Sequence, residues 1–201
     1  MPSKRYYILW LLAMALLGSC ASRKVGSAKY YFQHQQALIA IEQSYKNLYK
    51  IKPFSVEFTD KSFSFLSLEI ITDSVKYIYE FNIREPRLHD TLLKYNLPVT
   101  GVTSLVQQMQ SIRCTWINSL DYYTNNQKNY LVFMSMRPVA VQVPFSSEKY
   151  FILTFYNQPQ YFDAEGRLLA NRRQRRLRKI DDQIFHRIND KVCYAISERF
   201  R

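Results

Sequence analysis

Between residues 75 and 83 the chain alternates: Val75, Tyr77, Tyr79, Phe81 and Ile83 are apolar, with Lys76 and Glu80 between them and Arg84 just beyond. A period of two turns one side of a strand inward and the other to water, so this stretch predicts a half-buried strand whose aromatic side fills a core. Phe54, Val56 and Phe58 alternate in the same way. Residues 63–71 are rich in Phe, Leu and Ile, and a phase change at Phe65 and Leu66 predicts a bulge. Thr72, Asp73 and Ser74 supply a hairpin turn before the next strand. Residues 114–123 read as a strand and 124–129, TNNQKN, as a polar turn. The runs YLVFMSM at 130–136 and YFILTFY at 150–156 are apolar on both sides and read as central strands. Val139, Val141 and Val143 alternate between them, and Asp163 to Gly166 form a turn.

A longer period marks the helices. Over 33–51, Leu38, Ile41, Tyr45 and Leu48 recur at three and four, and Pro53 ends the run. Pro86 opens a short helix carrying Leu88, Leu92 and Tyr95, closed by Asn96 and Pro98. Val102, Leu105, Val106, Met109 and Ile112 mark another. From Arg167 to Arg201 there is no Gly and no Pro, and Ile180, Ile184, Ile188, Val192, Ile196 and Phe200 recur every fourth residue. That predicts a long C-terminal helix, or a pair broken at Asp181 and Asp182, where an aspartate can cap. The sum is an α+β fold: an antiparallel sheet of five to six strands, with helices before, between and after the hairpins, and a long C-terminal helix or helix pair.

The first 20 residues follow a different logic. Lys4 and Arg5 precede 12 uncharged residues, Tyr6 to Leu17, and then come Gly18, Ser19 and Cys20. A spanning helix needs roughly 20 apolar residues, so this run is too short to cross a bilayer. A basic start, an apolar stretch and a small-residue processing site are the parts of a secretory signal. Leu17-Gly18-Ser19-Cys20 resembles the lipobox of bacterial lipoprotein precursors. The resemblance covers residues 1–20 alone. It implies cleavage between Ser19 and Cys20, acylation of Cys20, and the lipid bilayer as a partner. Ala21 after the anchor, by resemblance to enteric systems, implies sorting to the outer membrane, facing the periplasm. The expected organisation is a signal peptide at 1–19, a lipid-anchored tether at 20–32, an α+β domain at 33–166 and a basic C-terminal segment at 167–201.

Composition narrows the rest. Hydrophobic content of 47% with 15% aromatic residues gives enough apolar surface for a core. Only Gly101 and Gly166 of the four glycines fall in the body, which argues against a glycine-rich loop cradling phosphate. The formal charge is +12, yet residues 35–166 hold 12 basic and 12 acidic residues. The excess sits at the two ends, above all in RRQRRLRK at 172–179. Arg172, Arg173, Arg175, Arg176, Arg178 and Lys179 would contact polyanions. Export makes nucleic acid an unexpected one and leaves anionic headgroups or an envelope protein. On a helix these six point all round the axis, as a solvated turn would.

Beyond Cys20, Cys114 and Cys193 either form a disulfide, which an exported protein allows, or are two buried thiols. The histidines are His34, His89 and His186. Asp182 and His186 are four apart, and Glu85, His89 and Asp90 cluster, but neither group makes a recognisable catalytic or metal motif. No cofactor and no metal is expected. The sequence therefore points to a membrane-anchored bacterial lipoprotein with a binding or structural role in the cell envelope. Two alternatives stand beside it: an exported hydrolase with an unrecognised active site, and a subunit of an envelope complex docking through its C-terminal helix.

Overall fold

A computed structural model describes the backbone over residues 4–124, 127–136, 150–160 and 185–197, and side chains within these from residue 28 onward, save 123, 124 and 127. The described elements are α1 (Lys4–Ile51), β1 (Phe54–Phe58), β2 (Phe65–Ile71), β3 (Lys76–Asn82), α2 (Pro86–Lys94), α3 (Val99–Ser111), β4 (Cys114–Thr124), β5 (Gln127–Met136), β6 (Tyr150–Tyr156), β7 (His186–Arg187) and β8 (Val192–Ser197). All eight strands join one antiparallel sheet in the order β3-β2-β1-β4-β5-β6-β8-β7.

The expected sheet of five to six strands with a C-terminal helix is therefore wrong. Residues 186–187 and 192–197 are strands. A spacing of four is a multiple of two as well as a near-turn of a helix, so Val192 and Ile196 share a face in either conformation. What decides is Tyr194 between them: it is buried with Val192, while Cys193 and Ala195 are buried on the other side. A strand covered on both faces suits that pattern. The turn into it forms without Gly or Pro because Asn189 makes an Asx turn, its Oδ1 accepting the Lys191 N–H at 2.9 Å.

The topology starts in the middle. β1, β2 and β3 form a meander that runs to one edge, and α2 and α3 bring the chain back so that β4 lies beside β1. β4, β5 and β6 then run the other way to the β7–β8 hairpin. One row of paired residues crosses most of the sheet: Tyr79, Leu68, Val56, Ile117, Met134, Leu153 and Tyr194. This row belongs to the main core with Leu38, Ile41, Tyr45 and Leu48 of α1, Leu88 and Leu92 of α2, and Val102, Leu105, Val106 and Met109 of α3. A smaller cluster of Tyr122, Leu131, Tyr156 and Cys193 lies on the opposite face.

α2 begins at Pro86 and ends in a Schellman motif: Leu97 N–H donates to Leu92 O and Asn96 N–H to Leu93 O, with Asn96 at φ 57°. Between β1 and β2 the expected bulge is absent; the β1–β2 and β2–β3 ladders run without a break. The phase change marks a turn instead, with buried Phe63 at φ 59°. The register shift lies in β4, between Cys114 and Trp116. β3 is an edge strand, so of its aromatic face only Phe81 is buried, and Tyr77 is exposed. α1 is kinked at His34 and starts before residue 33; Tyr30 and Tyr31, at the end of the stretch read as a tether, pack on the body. Among the described residues no helix is long and apolar enough to cross a membrane.

Candidate functional site

The C-terminal half of α1 lies across β4 and β5. Tyr45 and Tyr49, and Lys46 and Lys50, are each four apart and so repeat on one side of the helix. Successive inward positions of the strands add Ser119 and Asp121 from β4, and Lys128 and Tyr130 from β5. Together these eight residues line a recess of about 200 Å³. That is below the roughly 300 Å³ at which drug-sized pockets begin, so the recess suits one ring or one headgroup.

Its floor is rigid. Tyr45 is fully buried and donates its hydroxyl to Phe54 O at 2.5 Å. Burial pushes that phenol well above its ordinary pKa, with Tyr49 and Glu69 adding to the rise. Tyr49 shifts up too, first through burial and then through the Asp121 carboxylate. Both tyrosines are therefore neutral donors at physiological pH. Lys46 pairs with Glu42 and sits 5.0 Å from the Tyr130 ring centroid, a cation–π contact. Lys128 pairs with Asp121 at 2.9 Å. Lys50 has no ion-pair partner among the described residues and stands in the last turn of α1, where the helix dipole favours a cation. Three lysines against Asp121 and the neighbouring Glu42 leave the recess one positive charge in excess. Aromatic walls, neutral hydroxyls and a spare ammonium can hold a small anionic group attached to an apolar or planar one.

The groups singled out in the sequence are not drawn into this recess. Ser19 and Cys20 lie in α1, among residues whose side chains are not described. Arg172, Arg173, Arg175, Arg176, Arg178 and Lys179 lie outside the described residues, as do Asp182, Val139, Val141, Val143 and the turn at 163–166. Cys114 and Cys193 are free thiols on opposite faces of the sheet, with β5 and β6 between their strands. Three strand spacings are roughly 14 Å, twice the reach of a disulfide, so the two are not bonded. Burial pushes each thiol up to about 12.

The three histidines sit on three elements. His34 packs against Tyr30 at the α1 kink, with ring centroids 4.4 Å apart and the rings tilted by 35°. His186 packs on Tyr194 at 5.2 Å. His89 stands exposed on α2, with Nδ1 3.5 Å from the Asp90 carboxylate. Glu85 is occupied by Arg87 and the Asn82 N–H. The described residues hold no metal-ligating cluster. The recess itself was missed in the sequence. The paired i, i+4 tyrosines and lysines of α1 were the available signal, but Asp121 and Lys128 become partners only through the β4–β5 register.

Comparison with known proteins assigns no relative: no family model, no curated protein and no solved structure matches the chain.

Proposed function

We propose that this chain is a lipid-anchored lipoprotein of the bacterial cell envelope whose body binds a small anionic ligand or headgroup and does no chemistry on it. The observation that carries the anchoring is the order of residues 4–20: two cations, 12 uncharged residues, two small residues and Cys20. Each acyl methylene buried in a bilayer contributes about 0.8 kcal/mol, so two or three chains on one sulfur and amine make release negligible. The binding half rests on the recess beneath α1, where Lys50 is a cation without a partner among the described residues.

The test is intact-mass analysis of the full-length gene product recovered from the host membrane, beside Cys20→Ala. The mature mass should begin at Cys20 and carry acyl chains, and Cys20→Ala should keep its leader and gain no lipid. A polypeptide that still begins at Met1 with an unmodified thiol at position 20 overturns the reading.

A further inference from the structure

We propose that β3 is a self-complementary edge through which two copies of this chain pair, joining their sheets into one. The argument begins with which backbone groups face outward. Thr72 N–H donates to Val75 O and Ile83 N–H to Ser64 O, so the odd-numbered residues of β3 carry the hydrogen bonds to β2. Antiparallel pairs alternate, so the N–H and C=O of Lys76, Ile78 and Glu80 point away from the sheet. None of these groups has a partner among the described residues. The next outward residue, Asn82, is already closed: its N–H meets the Glu85 carboxylate and its C=O accepts the Glu85 N–H. The free edge is therefore short and centred on Ile78.

Only even-numbered residues can exchange hydrogen bonds across a two-fold axis on this edge. With Ile78 on the axis, Lys76 of each copy, which also pairs with Glu69 of its own chain at 2.8 Å, faces Glu80 of the other. Shifting the register by one pair in either direction sets Lys76 or Glu80 against Ile78 and loses both charge pairs. The centred register exchanges about six backbone hydrogen bonds, two for each opposed pair. Opposite charges directly across strands contribute roughly 0.2–1 kcal/mol each, and like charges cost as much. On the other face Tyr77 meets Tyr79 of the second copy.

Side-chain exposure fits an interface better than a protected edge. Ile78 is 62% exposed and Tyr77 43%. Edges are commonly blunted by charged side chains, lysine above all, by proline or by a bulge. β3 has no proline and an unbroken ladder, and its two charges are of opposite sign at the spacing that attracts a copy. Such an isologous, two-fold contact closes at a dimer and does not propagate. The proposal is independent of lipid anchoring.

Charge reversal tests it on the full-length protein in detergent, with mass read by sedimentation. Wild type should be a dimer. Glu80→Lys sets lysine against lysine, and Lys76→Glu sets glutamate against glutamate, so each variant alone should be monomeric. An equimolar mixture of the two should regain the dimer mass, because each Lys-Lys edge then faces a Glu-Glu edge. That regain also shows both variants are folded. A monomeric wild type, single variants that dimerise as wild type does, or a mixture that stays monomeric overturns the proposal. So does an edge that stays monomeric yet takes up an added extended peptide.

Discussion

Asn189 and Tyr31 stand 158 positions apart in the chain and are hydrogen-bonded, the Asn189 amide donating to the Tyr31 hydroxyl at 3.2 Å. The bond ties the start of the packed part of α1 to the turn between β7 and β8. The Tyr31 ring is buried and lies 6.3 Å from the Phe155 ring. Two segments far apart in sequence are thus fastened at one place. Tyr31→Phe should cost about 1 kcal/mol by removing one bond. Tyr31→Ala should cost about 3–5 kcal/mol by also emptying a core site. A truncation starting at residue 28 should unfold like the longer chain, and one starting at residue 33 should be destabilised by several kcal/mol. Denaturant melts of the four variants beside the longer chain read all of this.

Much of the fold was legible in the sequence wherever the period was unambiguous. Leu38, Ile41, Tyr45 and Leu48 show a helix face, Pro86 a helix start, and Phe54, Val56 and Phe58 a strand, because each pattern fits one geometry alone. The C-terminal segment failed because its spacing of four satisfied two geometries, and because the Asn189 turn uses a side-chain acceptor in place of glycine. The phase change at Phe65 failed for a related reason: Phe63 adopts a left-handed conformation, rare for a bulky residue, which local propensity does not anticipate. The recess was illegible because half of it comes from a register, and register is a property of two strands at once.

That Phe63 turn is held by Asp60. Its carboxylate accepts the Ser64 N–H at 2.9 Å, the Phe65 N–H at 2.9 Å and the Ser62 hydroxyl. Desolvation raises the Asp60 pKa, but the Ser62, Phe65 and Ser64 donors outweigh it and the net shift is downward. A carboxyl group depressed in the folded state adds stability that is complete above its unfolded pKa of roughly 4 and is lost as pH falls through the folded value. Asp60→Asn should therefore flatten the acid limb of the stability curve below about pH 4. Asp60→Ala should cost roughly 1–2 kcal/mol at pH 7 by freeing two N–H groups. Denaturant midpoints measured from pH 2 to 7 distinguish the two.

The thiols give a sharper readout. With each pKa pushed up to about 12 by burial, both thiols stay protonated at pH 8, and neither sulfur is open to solvent. Iodoacetamide should leave Cys114 and Cys193 unmodified in the folded protein and should alkylate both in guanidinium chloride without any reductant. Labelling of neither under denaturing, non-reducing conditions would mean that the two are bonded and that the strand order separating β4 from β8 is wrong.

The recess beneath α1 makes a prediction about ligand chemistry. Lys50 is its cation without an ion pair, and Tyr49 and Tyr130 are its aromatic walls. An anion with a planar body satisfies both, whereas a cation of the same shape meets an excess of positive charge. Benzoate titrated into the protein should shift the backbone amide signals of Tyr49, Lys50 and Lys128, and benzylamine should not. Lys50→Glu should abolish the benzoate response, since the ammonium becomes a carboxylate beside Asp121, while lowering stability by only about 1 kcal/mol, because charges in a last helical turn interact with the helix dipole by roughly 0.3–1 kcal/mol each. Equal responses to benzoate and benzylamine, or a benzoate response that survives Lys50→Glu, would mean that the recess holds rings by apolar contact alone and that its charge selects nothing.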